Sequence, residues 1–264
     1  MNMNVKKLLR TLQVNFPFLL EIKFALMREY RNRSGVPFDG DFQALGLFPD
    51  VGEALFLDVG ANRGQSADAI LMITKNSRIQ LFEPNPLLCE KLRRLYGNNK
   101  RVGINEFGLG DKAAEQVLFV PFYKKWMFDG LASFDKEKAG DWLKGRVFFY
   151  KDRHLSLRES SCEIRRLDEL NFNPFFIKLD IQGYEFQALK GGEQTIKTCE
   201  PVLLIESPPE EEVINYLNGF GYQLYAFKEG MFMRGVAGGN NTFFMTENKS
   251  RLVKAHITAV AQSR

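Results

Sequence analysis

Short apolar runs alternate with segments of helical period from Ala54 onward. ALFLDVG has the length of a strand and stops at Gly60. SADAILMITK behind it spaces its apolar residues by three and four, as one face of a helix requires. RIQLFEP ends at Pro84 and precedes PLLCEKLRRLYGNN, whose helical pattern stops at Gly97. The rhythm continues with RVGINEFGLGD, with NPFFIKLDIQG before EFQALKGGEQTI, and with PVLLIES before PEEEVINYLNGFG. Strands separated by helices close up through right-handed crossovers onto a parallel sheet covered on both faces. QLYAFK and NNTFFMTE follow Tyr222 with no helix between them, which predicts an antiparallel finish. The expected fold is α/β, with seven core strands (LFLDV, RIQLFE, VGINEF, FFIKLD, VLLIE, QLYAF and TFFMT) in a mostly parallel sheet.

The flanks break this pattern. Val5, Leu8, Leu9, Leu12, Phe16, Leu19, Leu20 and Phe24 recur at helical spacing, so an N-terminal helix is expected from Val5 to about Tyr30, broken or kinked at Pro17. RNRSGVPFDGDFQALGLFPDVGE lacks periodicity and reads as a connecting loop. Between Gln116 and Glu163, VLFVPFY and RVFFYKD look like short strands around a turn-rich segment, an inserted hairpin region or lid. The aromatic residues there are expected to form mostly a satellite core, with Trp126 and Trp142 the better candidates for a lid. The expected organisation is an N-terminal helical extension and loop over 1–50, a main domain over 51–248 with its insertion at 116–163, and a tail over 249–264. A chain of 264 residues accommodates one large domain with such trimmings.

The formal charge of +4 is too small an excess to argue for nucleic acid. Its local concentration is N-terminal, where Lys6, Lys7, Arg10, Lys23, Arg28, Arg31 and Arg33 face Glu21 and Glu29. A solvated helix packed on its own domain is the default reading, with peripheral membrane contact or a homodimer interface as alternatives. The apolar stretch from Phe16 to Met27 is interrupted by Pro17, Glu21 and Lys23, and is too short and too charged to span a bilayer. No segment has the form of a secretory signal. Cys89, Cys162 and Cys199 stand far apart, without zinc-site or disulfide spacing. A cytoplasmic protein is expected.

Asp58-Val-Gly60-Ala-Asn62-Arg63-Gly64-Gln65 directly follows the first strand. Gly60 allows a sharp turn and close backbone approach to a ligand, and Gly64 lets the next helix start against the sheet. Amides at that helix start suit a carboxylate or phosphate. Glu83 ends the second strand, 23 residues beyond Gly60, where an acidic side chain can accept both ribose hydroxyl protons. A dinucleotide site needs glycine at the middle position, because its pyrophosphate lies against the backbone there; this chain has Asn62. That disfavours an NAD-dependent dehydrogenase and favours a nucleoside without a pyrophosphate, of which S-adenosylmethionine is the obvious case.

LFLDVGANRGQ, LFEPNP, FIKLDIQGYEFQALKGG and PVLLIE together resemble the FkbM-type methyltransferases, a class I S-adenosylmethionine-dependent family, over roughly Ala54 to Glu247. The resemblance implies a Rossmann-like seven-stranded sheet and methylation of a hydroxyl on a sugar, glycan or natural-product acceptor. It implies that Asp58, Gly60, Asn62 and Gly64 hold the methionine moiety, that Glu83 with Asn85 holds the ribose, and that Gly108 and Asp111 lie by the adenine. The alternative is a catalytically inactive nucleoside-binding scaffold or sensor of the same fold.

A sugar or alkyl hydroxyl becomes a good nucleophile once its proton is removed, so a base or a Lewis-acidic metal should lie beside the methyl group. Asp180, Glu185 and Glu206 fall at the carboxyl ends of the fourth and fifth strands, and Asp180 is the first choice. Lys178 points the same way along its strand and can hold Asp180 by an ion pair. Glu185, opening a helix, has a purely structural reading as well. His154 in the insertion is a further candidate base. The three carboxylates could supply oxygen ligands to Mg²⁺, but they lack the spacing of a dedicated metal loop, so no metal is predicted.

Overall fold

The computed structural model describes residues 11, 15–49, 52–141 and 148–259. Two units make up the chain, Met1–Ser34 with Glu115–Cys162 and Gly35–Ala114 with Glu163–Arg264.

Helix α1 (Pro17–Ser34) belongs to the first unit. The expected break at Pro17 is present: Thr11 and Asn15 are helical, Phe16 is not, and the proline stands at the first position of the new helix, where its missing N–H has no intrahelical partner to lose. Val5, Leu8, Leu9 and Leu12 lie outside the described residues.

The second unit begins with a correction to the expected loop. Gly40–Leu47 is a 3-10 helix capped by Asp39, whose carboxylate accepts from the Asp41 N–H. Phe42, Ala44 and Leu45 from it are buried in the main core. Strand β1 (Leu55–Val59) follows, then α2 (Gln65–Ile73), β2 (Arg78–Phe82), α3 (Pro86–Tyr96), β3 (Val102–Asn105) and the short β4 (Gly108–Leu109).

The insertion carries β5 (Ala114–Tyr123), β6 (Trp126–Met127), the short helix α4 (Lys136–Asp141) and β7 (Leu155–Arg165), with β5 between β7 and β6. The second expected strand, RVFFYKD, is not one: Phe148 and Phe149 form a turn, and Arg146 and Val147 lie outside the described residues. The strand is LSLRESSCEIR instead, whose polar residues conceal an alternation that ends with Cys162 and Ile164 buried. Trp126 is no lid candidate; it is buried beside Leu20 and Tyr123 in a satellite core. Trp142 lies outside the described residues.

Back in the second unit come β8 (Pro174–Leu179), α5 (Glu185–Gly191), α6 (Glu193–Cys199), β9 (Val202–Glu206), α7 (Glu211–Asn218), β10 (Gln223–Lys228), β11 (Met231–Arg234), β12 (Asn241–Met245), α8 (Glu247–Leu252) and β13 (Ile257–Ala259). The sheet order is β13-β11-β10-β12-β9-β8-β1-β2-β3, nine strands where the pattern counts seven. The five from β9 to β3 are parallel, and β12 runs antiparallel between β9 and β10. The two added strands, β11 and β13, extend the far edge. β11 is short and returns from β10 through Glu229-Gly230, a tight turn that apolar-run counting passes over.

Alternate residues of the central strands face opposite sides. Phe56, Phe176 and Leu204 pack with Ile70 of α2 and Leu92 of α3. Leu57, Ile177 and Leu203 pack with Leu189 of α5, Ile196 of α6 and Leu217 of α7. Burial on both sides is why these strands read as continuous apolar runs.

Candidate functional site

β1 and β8 are neighbours, but the chain leaves β1 toward β2 and leaves β8 toward β9 on the other side. Loops that diverge in this way open a crevice at the carboxyl ends of the two strands. Two polar residues stand on the α2–α3 face just below it. Asp58 and Lys178 are in register across the β1–β8 pair, and both are buried.

Lys178 Nζ lies 3.4 Å from Asp58 Oδ1, 3.3 Å from Asp180 Oδ2, and donates to the Gly60 carbonyl at 3.3 Å. Burial opposes its charge, but Asp180 and Asp58 outweigh that and raise its pKa above the usual lysine value. Asp58 Oδ1 also accepts from the Ser66 hydroxyl at 3.0 Å. Its Oδ2 is buried without a donor, an acceptor that a bound ammonium would satisfy. Ser66 is absent from the expected site, although its place in the first turn after the glycine loop is a signal that could have found it.

The loop after β1 has Gly60, Asn62 and Gly64 all at positive φ. The close approach that demands glycine at position 60 is internal: a Cβ there would come within 2.0 Å of the Asp180 carbonyl oxygen. A Cβ on Gly64 would meet the Tyr96 hydroxyl at 2.6 Å, which itself donates to the Gly64 carbonyl. Glu83 is buried and ties the loop down, accepting from Asn62 N–H at 2.8 Å through one oxygen and from Asn85 N–H at 2.9 Å through the other. Asn85 caps α3 by accepting from Leu87 N–H at 3.1 Å. Gly108 is paired with Ile164, and Asp111 lies 4.0 Å from Lys190 Nζ.

On the β8 side, Asp180 N–H donates to the Val59 carbonyl at 3.1 Å, fixing the residue beside Gly60. Gln182, at positive φ, bridges Asp180 Oδ1 at 3.2 Å and Glu206 Oε2 at 3.1 Å. Burial alone would raise the Asp180 pKa, but Lys178, with hydrogen bonds from Glu206 and Gln182, holds it below the usual carboxylate range. Glu206, at the end of β9, is pushed up to about 7 by burial of its carboxyl group and then by the charge of Asp180. The two carboxyl groups are thus pushed in opposite directions, Asp180 toward its ionised form and Glu206 toward its protonated one. Glu185 is buried, and its carboxylate accepts from Ile181 N–H at 2.9 Å, pinning the loop. His154 belongs to the first unit, where its ring meets Tyr123 edge-on at 5.9 Å. Partial desolvation, then Arg153, Lys124 and Lys151, lower its pKa. No group of three or more His, Cys, Asp or Glu side chains among the described residues could hold a metal ion.

A family model of the methyltransferase FkbM domain matches residues 58–224. No curated protein matches the chain. Among solved structures, it is similar to the methyltransferase FkbM from Methylobacillus flagellatus KT at 18% identity and a TM-score of 0.47, covering 73% of this chain but only 43% of that one. It is similar to a precorrin-6y C5,15-methyltransferase from Geobacter metallireducens GS-15 at 14% identity and a TM-score of 0.39, covering 76% of this chain and 82% of that one. A SAM-dependent O-methyltransferase from Thermotoga maritima matches at 12% identity and a TM-score of 0.35, over 79% of this chain and 65% of that one.

Proposed function

This chain belongs to the methyltransferase FkbM family, and from that premise we propose that it transfers a methyl group from S-adenosylmethionine to a hydroxyl oxygen of a sugar, glycan or natural-product acceptor, with Asp180 as the base. The observation that carries this reading is the Asp58–Lys178–Asp180 array, its first two members buried and the third part-exposed, which joins the loop suited to the cofactor to a carboxylate held ionised at the crevice.

The residues present fit the cofactor. The donorless Oδ2 of Asp58 suits the ammonium of its amino-acid end. The Glu83 carboxylate is buried at the end of β2 beside the glycine loop and acts there as a hydrogen-bond acceptor, the chemistry a ribose diol calls for. When bound, S-adenosylmethionine supplies a methyl group on a sulfonium sulfur. Asp180 takes the hydroxyl proton as the oxygen becomes nucleophilic, and Lys178 stabilises the ionised carboxylate beforehand. Glu206 tunes that base. Below about pH 7 it is protonated and donates to Asp180, weakening it; above, it carries charge of its own and the restraint is lifted. Three free cysteines, two of them buried, suit a reducing, cytoplasmic setting.

The test is S-adenosylhomocysteine formation with a panel of hydroxylated sugars, glycans and small metabolites, the products identified by mass spectrometry. Activity should rise as pH passes about 7 and stay flat in Glu206→Gln. Asp180→Asn should lower turnover with cofactor affinity nearly unchanged. Glu83→Ala should weaken cofactor binding by roughly 1–3 kcal/mol through loss of hydrogen bonds to a charged acceptor. Cofactor binding without turnover on any acceptor would reject the reading in favour of a scaffold or sensor.

A further inference from the structure

The first 34 residues hold seven lysines and arginines against two glutamates. The remaining 230 hold 29 basic residues against 30 acidic ones, so the chain's whole positive excess is N-terminal. Within that stretch α1 has two apolar faces. Leu20 and Phe24 turn one of them inward, onto Tyr123 and Trp126 of the same unit. The other carries Phe18, Leu19, Ile22, Leu26 and Tyr30, all exposed, with Phe18 at 60%, Leu26 at 65% and Tyr30 at 67%. Steps of four residues from 18 to 30 keep these side chains on one stripe. Lys23 and Arg33 lie exposed along it, and Arg33 is joined to Glu29 one turn back at 2.7 Å.

A second element of this unit has the same character. Phe149 is 90% exposed at the tip of a turn where its backbone takes φ 53, a conformation that disfavours a bulky residue. Lys151 and Arg153 follow it closely and are exposed. Its neighbour Phe148 donates its backbone N–H to the Thr11 hydroxyl at 2.9 Å, which ties the turn to the chain just ahead of α1. An apolar stripe open to water is unfavourable unless something covers it. A protein partner would explain the apolar residues but does not require the concentrated positive charge. Aromatic and aliphatic side chains bordered by lysine and arginine match the boundary of an anionic bilayer, where rings enter below the headgroups and cations remain at their level. No helix among the described residues is long and apolar enough to cross a membrane, so such contact is peripheral.

We propose that the outer face of α1 and the Phe149 turn form a membrane-contact surface that binds anionic lipid. This rests on the first unit alone and is independent of the reaction assigned to the second.

The test is co-sedimentation of the full chain with vesicles of phosphatidylcholine alone and of phosphatidylcholine mixed with phosphatidylglycerol. Binding should be at least about tenfold stronger to the anionic vesicles and should fall as salt is raised. The double variant Ile22→Glu with Leu26→Glu should lose it while keeping its circular dichroism spectrum, and Lys23→Glu with Arg33→Glu should weaken it. Equal binding to both vesicles, or none to the anionic ones, overturns the proposal from the wild type alone. A dimer in sedimentation velocity that the Ile22 and Leu26 changes dissociate, without vesicle binding, would make this face a subunit interface and overturn it as well.

Discussion

Lys178 stands between two carboxylates, itself buried along with Asp58, and its value lies in what would follow from its loss. Removing one partner of a buried ion pair leaves the other charge uncompensated, which costs far more than the pair itself contributes. Asp58 is fully buried, so Lys178→Met should destabilise the protein by about 3–5 kcal/mol, read as a shifted midpoint in urea denaturation. A change below about 1 kcal/mol would count against a buried ion pair at this position. The alternation of a strand predicts Lys178 beside Asp180, and that pairing is present at 3.3 Å. Its second partner, Asp58, is 120 residues away in the chain and depends on the register between β1 and β8. The same holds for Gly60. Its glycine signature is plain in the sequence, but the atom that excludes a side chain there is the Asp180 carbonyl oxygen, supplied by a distant loop.

Among the elements, those buried on both faces were the legible ones, because most residues in them are apolar. Val202, Leu203, Leu204 and Ile205 of β9 are all buried, and the run announces itself. β7 was missed for the opposite reason: Arg158, Glu159, Ser160 and Ser161 interrupt its apolar alternation, and pairing with β5 supports it. The Gly40–Leu47 turn of helix was missed because its burial depends on the core it meets rather than on any period of its own. The β10–β11 hairpin turns on Glu229 at φ 52 and Gly230 at φ 80, a pair of left-handed residues that matches strand twist but suits asparagine better than glutamate at the first position. Glu229→Asn should therefore stabilise the protein by about 0.5–1 kcal/mol, seen as a raised melting temperature. A lowered one would show that the Glu229 side chain supports the hairpin.

At the scale of the whole molecule, the residues assigned to the cofactor all belong to the second unit, so ligand binding should report on that unit's stability. S-adenosylmethionine at 100 times its Kd should raise the unfolding free energy by about 2.7 kcal/mol by mass action, while NAD should leave it unchanged. Denaturation with each compound checks this, and stabilisation by NAD alone would reject the choice of nucleoside made from Asn62. The amino-acid sequence determined the parallel α/β core, the glycine loop after β1 and the acidic ends of β2 and β8, since periodicity and turn chemistry act over a few neighbouring residues. Tertiary structure decided the rest: the extension of the sheet to nine strands, the bridging of Asp58 to Asp180 through Lys178, the opposed shifts of Asp180 and Glu206, and the side of α1 left open to water. Each of these is a relation between segments far apart in the chain, and its energy exists only once packing has removed the water between them.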